Sequence, residues 1–402
     1  MKKQSNKIFL ILLILISFNI GFAASDFFNS LDSKKNITGL VNLDSDKNNE
    51  IENKADFSLF WDAWKVVEDD YTIEELDYQK MVYGAISGMV DSLDDPYTVF
   101  FTPEENKMFN QDMSGKFSGI GAEIGFRDGF LTIITPLKNS PAEKSGLLPG
   151  DVILKVNGTE VIGMDVDKVV NLIRGEKGTK VVLTIGRDKS DELKEIEVVR
   201  DIIIVETVEW EMMKSSIAYI EISQFNEDTS AEFDDCVNSI LIKNPAGIIL
   251  DLRNNSGGYL DVANEITSRF VADGDIIVIE DYNGKEEIHK SRGGQKFAGI
   301  PVVVLINEGS ASASEILAGA LKDNGKAKLV GEKTFGKGLV QKMEDLKDGS
   351  AIKITIARWL TPSGIDINKN GVEPDFEVEL TEDDYLNDRD PQLKKALEIL
   401  GR

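Results

Sequence analysis

Cysteine and histidine are almost missing from this chain of 402 residues. The one cysteine, Cys236, has no partner for an intrachain disulfide, and no Cys-x-x-Cys motif for metal or redox chemistry exists. The one histidine, His289, lies in the polar run 284–294 and is predicted to be an exposed strand or hairpin residue. A Ser-His-Asp triad, a Cys-His dyad and a histidine-bound zinc ion are therefore excluded as hydrolytic centres.

Positive charge is also scarce, because 45 Lys and Arg residues face 70 Asp and Glu residues and leave a net charge of −25. Binding to duplex nucleic acid requires clustered cations that displace counterions, so nucleic acid is excluded as a partner. The composition, 42% hydrophobic and 29% charged, is that of a globular protein. At about one domain per 150 residues, the length predicts two or three domains.

The first 24 residues have the pattern of an export signal. Lys2, Lys3 and Lys7 precede the apolar run Ile8–Ile16, and small residues near Ala23 offer a cleavage site. The pattern predicts an extracytoplasmic protein, periplasmic or in the cell envelope. The apolar run is short for a spanning helix, which favours a cleaved signal over a retained membrane tether. Both alternatives remain open.

Changes in periodicity divide the rest of the chain into segments of different character. They predict an α/β multidomain fold in which a small helical region and a β-rich domain precede an α/β core with a sheet backed by helices. The predicted segments are a polar linker (25–54), a helical region (55–116), a β-rich domain (117–200), the α/β core (201–380) and a C-terminal helix (381–402).

The run Ser140–Gly158 combines a Pro-Ala helix start, a Gly-Leu turn, Gly150-Asp151 and an Asn-Gly hairpin turn. Followed by a predicted helix at 165–173 and a closing strand at 178–185, it resembles the PDZ family. Domains of that family bind peptides by adding a strand to a sheet edge. The resemblance places the loop that would hold a terminal carboxylate at Gly119, Ile120, Gly121 and Ala122.

A second informative stretch, 304–324, is a buried strand that ends at a glycine turn and continues into a helix. Its serines have two readings. One is helix capping, which is predicted for Ser310. The other is a hydroxyl displayed where the first N–H groups of the helix converge and would stabilise an oxyanion.

Together with Thr334–Gln341, the run Ser310–Ile316 resembles the C-terminal processing peptidases, or tail-specific proteases. Asp95–Tyr97 and Asp251–Gly258 also match, so the resemblance covers nearly all of the chain after the linker. It implies a serine endopeptidase without metal or cofactor. Matched residue by residue, Ser312 is the nucleophile, Lys337 the general base and Gln341 the residue that orients the lysine.

The chemistry of this dyad has requirements of its own. A lysine accepts a proton from serine only when neutral, so its pKa, ordinarily about 10.4, must fall through desolvation. The flanking residues are predicted to form the apolar pocket: Phe335, Gly336, Gly338, Leu339 and Val340. A spacing of four is predicted to place Lys337 and Gln341 on one side of a strand. The predicted oxyanion donors are the backbone N–H groups of Ala313 and Gly258, with Gly258 preferred to Gly257.

Two motifs compete with this assignment. Gly331–Lys337 nearly matches a phosphate-binding P-loop, but Gly338 replaces the required Ser or Thr, and a strand rather than a helix is predicted to follow. Asp366–Gly371 with Glu377 fits the pattern of an EF-hand calcium loop, but no helix is predicted before it. Neither motif is adopted.

The favoured function is an endopeptidase that captures protein C-termini with its PDZ domain and cleaves through an acyl-enzyme. The alternative is a non-catalytic PDZ adaptor that binds C-termini without cutting. Linked domains move relative to one another, so the PDZ domain is predicted to gate the site, with Arg174 as a contact between domains. Asp390–Leu400 is predicted to be a helix, either a cap on the core or a contact in a homo-oligomer.

Overall fold

A computed structural model describes residues 55–73, 75–127, 129–164, 166–187, 193–381, 383–384, 387 and 389–401. The predicted export signal (1–24) and polar linker (25–54) lie outside these residues. Among the described helices, none has the length and apolar character needed to cross a membrane. The chain divides into two compact units at Met81 and Val82, a boundary that falls inside the predicted helical region 55–116.

The described elements are numbered here in chain order. The helices are α1 (Ser58–Asp70), α2 (Tyr78–Asp91), α3 (Pro103–Ser114), α4 (Pro141–Lys144), α5 (Val166–Ile173), α6 (Thr229–Ile242), α7 (Leu260–Thr267), α8 (Ala313–Asp323) and α9 (Pro391–Ile399). The strands are β1 (Val99–Phe101), β2 (Lys116–Gly119), β3 (Ala122–Arg127), β4 (Phe130–Pro136), β5 (Val152–Val156), β6 (Thr159–Glu160), β7 (Lys180–Gly186), β8 (Leu193–Val199), β9 (Asp201–Ile204), β10 (Val208–Met212), β11 (Ile217–Ile222), β12 (Gly247–Asp251), β13 (Ile276–Tyr282), β14 (Lys285–Lys290), β15 (Val302–Ile306), β16 (Ala327–Gly331), β17 (Leu339–Asp345), β18 (Ala351–Leu360) and β19 (Phe376–Glu377).

The first unit contains α1 and the start of α2. The ring of Trp64 stacks on that of Tyr78 with 6.2 Å between centroids. The Tyr78 hydroxyl donates a hydrogen bond of 3.0 Å to Glu68 Oε1, which ties the two helices together. Aromatic side chains therefore pack the two helices against each other within this unit.

Helix α3, in the second unit, begins with a capping box. The Thr102 hydroxyl accepts a hydrogen bond of 3.3 Å from Glu105 N, and Glu105 Oε2 accepts one of 2.8 Å from Thr102 N. Gly115 ends the helix in the left-handed conformation, with φ 69°. Such caps satisfy N–H and C=O groups that helix ends leave without partners.

The predicted PDZ segment forms a sheet in the order β3-β4-β5-β7-β8, with β6 paired to β5. Its core is aliphatic and includes Ile133, Leu147, Val169, Leu183 and Ile185. The α5 side chain Val169 closes this core. The pair β2–β9 joins the strand before the domain to the strand after it.

The α/β core contains a sheet in the order β10-β11-β12-β15-β16-β19, parallel except for β10. Strands β12 and β15 are buried along their whole length, as expected for parallel strands covered on both faces. Ile248 and Leu250 pack in the cluster that includes α6, α7 and α8, whereas Ile249 packs with α9 on the opposite face. The predicted C-terminal helix thus covers the core, and Asp390 caps its start.

A second sheet, β1-β18-β13-β14 with β17 paired to β18, covers the other side of α8. Ile316 and Ala320 of α8 pack against Val278, Trp359 and Ile367 in this layer. Because α8 lies between two layers, every residue from Ala313 to Leu321 is buried. The N-terminus of α8 therefore lies where the two sheets meet.

Candidate active site

Ser312 is the residue that joins the end of β15 to α8. Its backbone has φ 54° and ψ −114°, a conformation that is rare for residues other than glycine and that proteins hold mainly at functional sites. Contrary to the prediction, Ser310 does not cap helix α8. Its hydroxyl instead donates to Leu252 O at 2.7 Å and accepts from Asn307 N at 3.0 Å, which fixes the turn before Ser312 to strand β12.

The glycine loop after β12 packs directly against Ser312. A methyl group at Gly257 would lie 2.7 Å from Ser312 Cβ and 2.8 Å from Ala311 O, so only glycine fits there. Fully buried Asn255 holds this loop: its Nδ2 donates to Ile222 O at 2.6 Å, and its backbone carbonyl accepts from Ala311 N at 3.0 Å. Asn255 thus connects strand β11 with the serine turn, the first through its side-chain amide and the second through its backbone carbonyl.

Two backbone N–H groups face the site without partners. Gly257 N is engaged, because it donates to Asn255 Oδ1 at 2.9 Å. Gly258 N and Ala313 N, by contrast, form no hydrogen bond with any described residue. Gly258 is fixed by the flanking bonds to Phe225, from Phe225 N to Gly257 O and from Tyr259 N to Phe225 O. The geometry agrees with the choice of Gly258 over Gly257 as an oxyanion donor.

Glu315, in the first turn of α8, ties the serine turn to the lysine loop. Its carboxylate is completely buried and accepts from Ser312 N (2.9 Å) and Lys337 N (2.9 Å). It also accepts from Gly336 N (2.8 Å) and Thr334 Oγ1 (2.6 Å). Burial raises the pKa of Glu315 above 4.5, and these four donors favour the ionised form against that effect. One carboxylate therefore positions both segments.

Lys337 lies in the loop between β16 and β17 and is half-buried. Its Nζ is 5.3 Å from the centre of the Tyr97 ring. Burial lowers the pKa of Lys337 below 10.5, and the attraction of the Glu315 carboxylate acts in the opposite direction. Phe335, predicted as a pocket wall, is 59% exposed, so the apolar surroundings come instead from Tyr97, Leu339 and Val340.

The predicted contact between Gln341 and Lys337 is not formed in this structure. Gln341 Nε2 donates to Leu339 O at 3.1 Å, and no hydrogen bond joins Lys337 Nζ to Gln341 or to Ser312 Oγ. The predicted strand spacing does not apply because Lys337 precedes β17, and a bulge shifts the register between Val340 and Gln341. Gln341 nevertheless lines the same cavity as Lys337.

A cavity of about 520 Å³ brings the predicted residues together. Those that line it are Ser312, Ala313, Gly258, Lys337 and Gln341. Phe109 and Met113 of α3 and Trp359 of β18 add apolar walls. A hydroxyl, a desolvated amine and two unpaired N–H groups are the components of acyl transfer by a serine nucleophile.

The predicted carboxylate loop lies between β2 and β3, at the edge of the PDZ segment. The N–H groups of Ile120 and Gly121 form no hydrogen bond with the described residues, whereas their carbonyls accept from Ala142 N and Leu137 N. Gly119 ends β2 and Ala122 begins β3. Gly121 has φ 70°, and a methyl group there would lie 2.6 Å from Ser140 Cβ. The loop therefore offers two adjacent N–H groups on a fixed backbone.

Arg174, which follows α5, contacts α3 rather than the α/β core. Its guanidinium pairs with Asp112 at 2.7 Å and lies 4.9 Å from the centre of the Phe117 ring. Since α3 also supplies Phe109 and Met113 to the cavity wall, Arg174 connects the PDZ segment to that wall.

The residues of the competing motifs have structural partners. Gly336 and Gly338 pack against the segment Asp366–Gly371, where a methyl group at Gly338 would lie 2.1 Å from Asn368 N. Strand β17 follows Lys337, as predicted, where a P-loop requires a helix. Asp366 accepts from Asn368 N at 2.8 Å and pairs with Arg358 at 3.1 Å. The segment that resembles an EF-hand thus supports the lysine loop.

Two scarce residues lie away from the cavity lining. His289 is on β14, as predicted, but its side chain is half-buried beside Trp359 rather than exposed. Cys236 is buried in α6, and burial raises the pKa of its thiol to about 12.

Three residues of the site were missed by the sequence analysis. Ser312 and Glu315 form the Ser-x-x-Glu pattern of a capping box, which could have revealed the glutamate. Asn255 lies within the matched run Asp251–Gly258, but no local sequence pattern reveals its long-range contacts. Lys353 of β18 also lines the cavity, and nothing in its strand context distinguishes it from a surface lysine.

Comparison with known proteins agrees with the fold. A model of peptidase family S41 matches residues 216–378, and a PDZ-domain model matches residues 132–187. A model described as the activating protease CtpB N-terminal domain matches residues 14–105. These matches confirm the predicted fold class, in which a PDZ domain precedes an α/β peptidase core.

Relatives identify the family more closely. The chain is 43% identical to the carboxy-terminal processing protease CtpA of Bacillus subtilis (strain 168) over 319 residues, 79% of this chain and 68% of that protein. It is 40% identical to the carboxy-terminal processing protease CtpB of the same organism over 341 residues, 84% of this chain and 70% of that protein. The chain belongs to the C-terminal processing proteases of peptidase family S41, which confirms the resemblance seen in its sequence.

Solved structures show the same relationship. The photosystem II D1 C-terminal processing protease aligns with a TM-score of 0.51 and 33% identity, over 79% of this chain and 86% of that chain. A putative S41 protease from Bacteroides fragilis NCTC 9343 aligns with a TM-score of 0.53 over 82% of this chain and 92% of that chain. Its identity of 18% supports the fold alone.

Proposed function

We propose that this protease cleaves peptide bonds with Ser312 as nucleophile and Lys337 as general base. The observation that carries the proposal is the convergence of Ser312, Lys337 and the unpaired N–H groups of Gly258 and Ala313 on one cavity. Neutral Lys337 takes the proton of Ser312 as Oγ attacks the carbonyl carbon. The two N–H groups then donate to the oxyanion of the tetrahedral intermediate.

Collapse of this intermediate breaks the C–N bond, and the proton held by Lys337 passes to the leaving amine. The acyl group remains on Ser312 Oγ as an ester. Lys337, neutral again, takes a proton from water as the water oxygen attacks the ester carbonyl. The bond between the acyl carbon and Ser312 Oγ then breaks, the proton passes from Lys337 to Ser312 Oγ, and the new C-terminus leaves. Gln341 is proposed to orient the amine during these steps. The Ser312–Lys337 hydrogen bond that the mechanism needs would form with substrate bound, as catalytic bonds that are long in free enzymes often do.

The PDZ domain is proposed to bind the C-terminal tail of the substrate at the loop Gly119–Ala122. Free N–H groups of Ile120 and Gly121 suit a terminal carboxylate, and an extended tail would pair with the edge of the sheet. The Arg174–Asp112 ion pair gives this domain a direct connection to α3 and the cavity wall. A tail bound to the PDZ domain would gate the site through this connection.

Cleavage of an unstructured substrate with an apolar C-terminus tests the mechanism. Mass spectrometry compares the wild type with Ser312→Ala and Lys337→Ala, with EDTA and ATP as additions. The expected result is cutting by the wild type alone, unchanged by EDTA or ATP, with tail binding retained in both variants. Tail binding without cutting by the wild type, equal in all three proteins, would instead support the adaptor alternative.

The location outside the cytoplasm rests on the sequence pattern of residues 1–24 and is likewise a proposal. If this proposal is wrong, fractionation of expressing cells would recover the protein in the cytoplasm. Recovery in the membrane fraction would indicate a retained tether, and a shortened soluble chain a cleaved signal. Assembly into a homo-oligomer also remains a prediction, which the mass in solution would decide.

A further inference from the structure

The cleavage cavity contains a second ammonium group, which the proposed mechanism does not use. Lys353 is the third residue of β18, in register with Val99 of β1 and Met343 of β17. It lines the same cavity as Ser312 and Lys337. Its side chain is half-buried, and its Nζ lies 5.5 Å from the centre of the Phe101 ring and 5.4 Å from that of Phe109.

No carboxylate of the described residues forms an ion pair with Lys353. Asp95 attracts it from the loop before β1, but the Asp95 carboxylate already accepts from Thr98 Oγ1 (2.6 Å) and Tyr97 N (3.0 Å). Burial lowers the pKa of Lys353, and the positive charge of Lys337 acts in the same direction. The cavity therefore holds a partly desolvated cation that is in direct contact with no carboxylate of the described residues, since Asp95 acts on it only from beyond ion-pair distance. Such an arrangement costs free energy that a bound anion would reduce.

Lys342, on the neighbouring strand β17, shows the contrast. Its ammonium is exposed and pairs with Glu344 of the same strand. Lys353 instead rests on two aromatic rings that hold it beside Met343 and the apolar wall of the cavity. Aromatic faces stabilise an ammonium group without neutralising it, so the charge remains available to a ligand.

We propose that Lys353 forms an anion subsite that holds a carboxylate of the bound substrate while Ser312 acts on a nearby peptide bond. The inference rests on the proposed function of Ser312. The carboxylate has two sources, an Asp or Glu side chain close to the cleaved bond or the free C-terminus of a short tail. In both cases Lys353 selects substrate and takes no part in the bond-breaking steps.

Peptides that differ only by Glu or Gln test the first source. A single Glu or Gln is moved through the three residues on either side of the cleaved bond, and every peptide ends in an amide. At one position we expect kcat/KM of the wild type to be about tenfold higher for Glu, the order of magnitude of one hydrogen bond to a charged group. Lys353→Met should reduce the ratio to about one, and Lys353→Arg and the control Lys342→Met should keep it.

A second set of peptides tests the free C-terminus. These carry only Gln and end one, two or three residues after the cleaved bond, as acid or as amide. A preference for the acid that Lys353→Met abolishes would assign the subsite to the terminal carboxylate. In both sets the ratio between paired peptides cancels any effect of Lys353 on the basicity of Lys337, because that effect is common to both members.

Equal loss by Lys353→Met on both members of every pair would overturn the inference, as would a Glu or acid preference that survives this substitution. Fluorescence anisotropy with the Ser312→Ala variant measures the same preferences without cleavage. If that variant binds Glu or acid peptides more tightly through Lys353 while the wild type cuts nothing, the subsite stands and the proposed function fails. If the wild type cuts paired peptides equally and Ser312→Ala binds them equally, the subsite fails and the proposed function stands.

Discussion

Two pairs of N–H groups that have no hydrogen-bond partner among the described residues are built in opposite ways. The pair in the PDZ domain, Ile120 and Gly121, consists of neighbours in one loop, held by backbone bonds to adjacent turns. The pair in the cavity, Gly258 and Ala313, comes from segments 55 residues apart, which buried Asn255 links through its bond to Ala311. In the proposed roles, the loop for a terminal carboxylate is therefore built by neighbours in sequence, whereas the site for a transient oxyanion is built by distant segments.

The two N–H pairs also differ in the charged groups that surround them. Beside the cavity pair lie the buried carboxylate of Glu315 and the ammonium groups of Lys337 and Lys353. Buried polar groups of this kind are costly unless every one of them is satisfied. Glu315 meets that condition with four donors. The three predictions below change one part of this comparison at a time.

The largest effect is expected from removing the base while keeping its charge. Because Arg stays protonated, Lys337→Arg should lower kcat/KM by about 10³-fold, within the range for loss of a general base. Tail binding by the PDZ domain should remain unchanged. In the wild type, kcat/KM should rise with pH as Lys337 loses its proton, with a midpoint below 10.5 because burial lowers its pKa. Cleavage rates measured by stopped assays, across the pH range in which the protein stays folded, would report both effects.

Activity in Lys337→Arg close to the wild type would show that the proton acceptor is another group. A wild-type profile that falls with rising pH would contradict a neutral amine as base. Circular dichroism of the variant at each pH separates loss of the fold from loss of the base.

A smaller loss is expected from Glu315→Gln, which keeps the shape of the side chain but turns one acceptor into a donor. The –NH₂ group of glutamine would face N–H donors, at a cost of about 1–3 kcal/mol for each donor left unsatisfied. We expect kcat to fall about 10- to 100-fold with KM little changed, because Ser312 and Lys337 lose their common anchor. Since the Glu315 carboxylate raises the pKa of Lys337, the midpoint of the pH profile should also move to lower pH.

Glu105→Gln is the matched control, because Glu105 closes an exposed capping box at the start of α3. It should change thermal stability slightly and leave the pH midpoint in place. If Glu315→Gln lowers stability without moving that midpoint, the glutamate supports the fold rather than the position of the lysine.

The contrast between local and long-range contacts explains which features could be predicted from the sequence. The capping box of α3 and the strand after Lys337 depend on neighbours in sequence, so local patterns can predict them, whereas the PDZ loop was placed by the resemblance to a family. Glu315, Asn255 and Lys353 have contacts with residues 19 or more positions away, such as the bond from Asn255 Nδ2 to Ile222 O, 33 residues away. The resemblance to a family supplied Ser312 and Lys337, but it could not supply the bulge that separates Gln341 from Lys337.

The smallest effect is expected at the N–H pair of the PDZ domain, Ile120 and Gly121. In Gly121→Ala the new methyl group would lie 2.6 Å from Ser140 Cβ and 2.8 Å from Ile203 Cδ1, and φ 70° would be strained. The loop must shift, so affinity for a peptide with a free C-terminus should fall about five- to tenfold, while kcat for an amidated peptide stays unchanged. Gly129→Ala is the control, since it has φ 82° but no atom within 4 Å of its new methyl group. Equal losses on acid and amide peptides would mean that this loop affects the cavity as well, and the two N–H pairs would then not be independent.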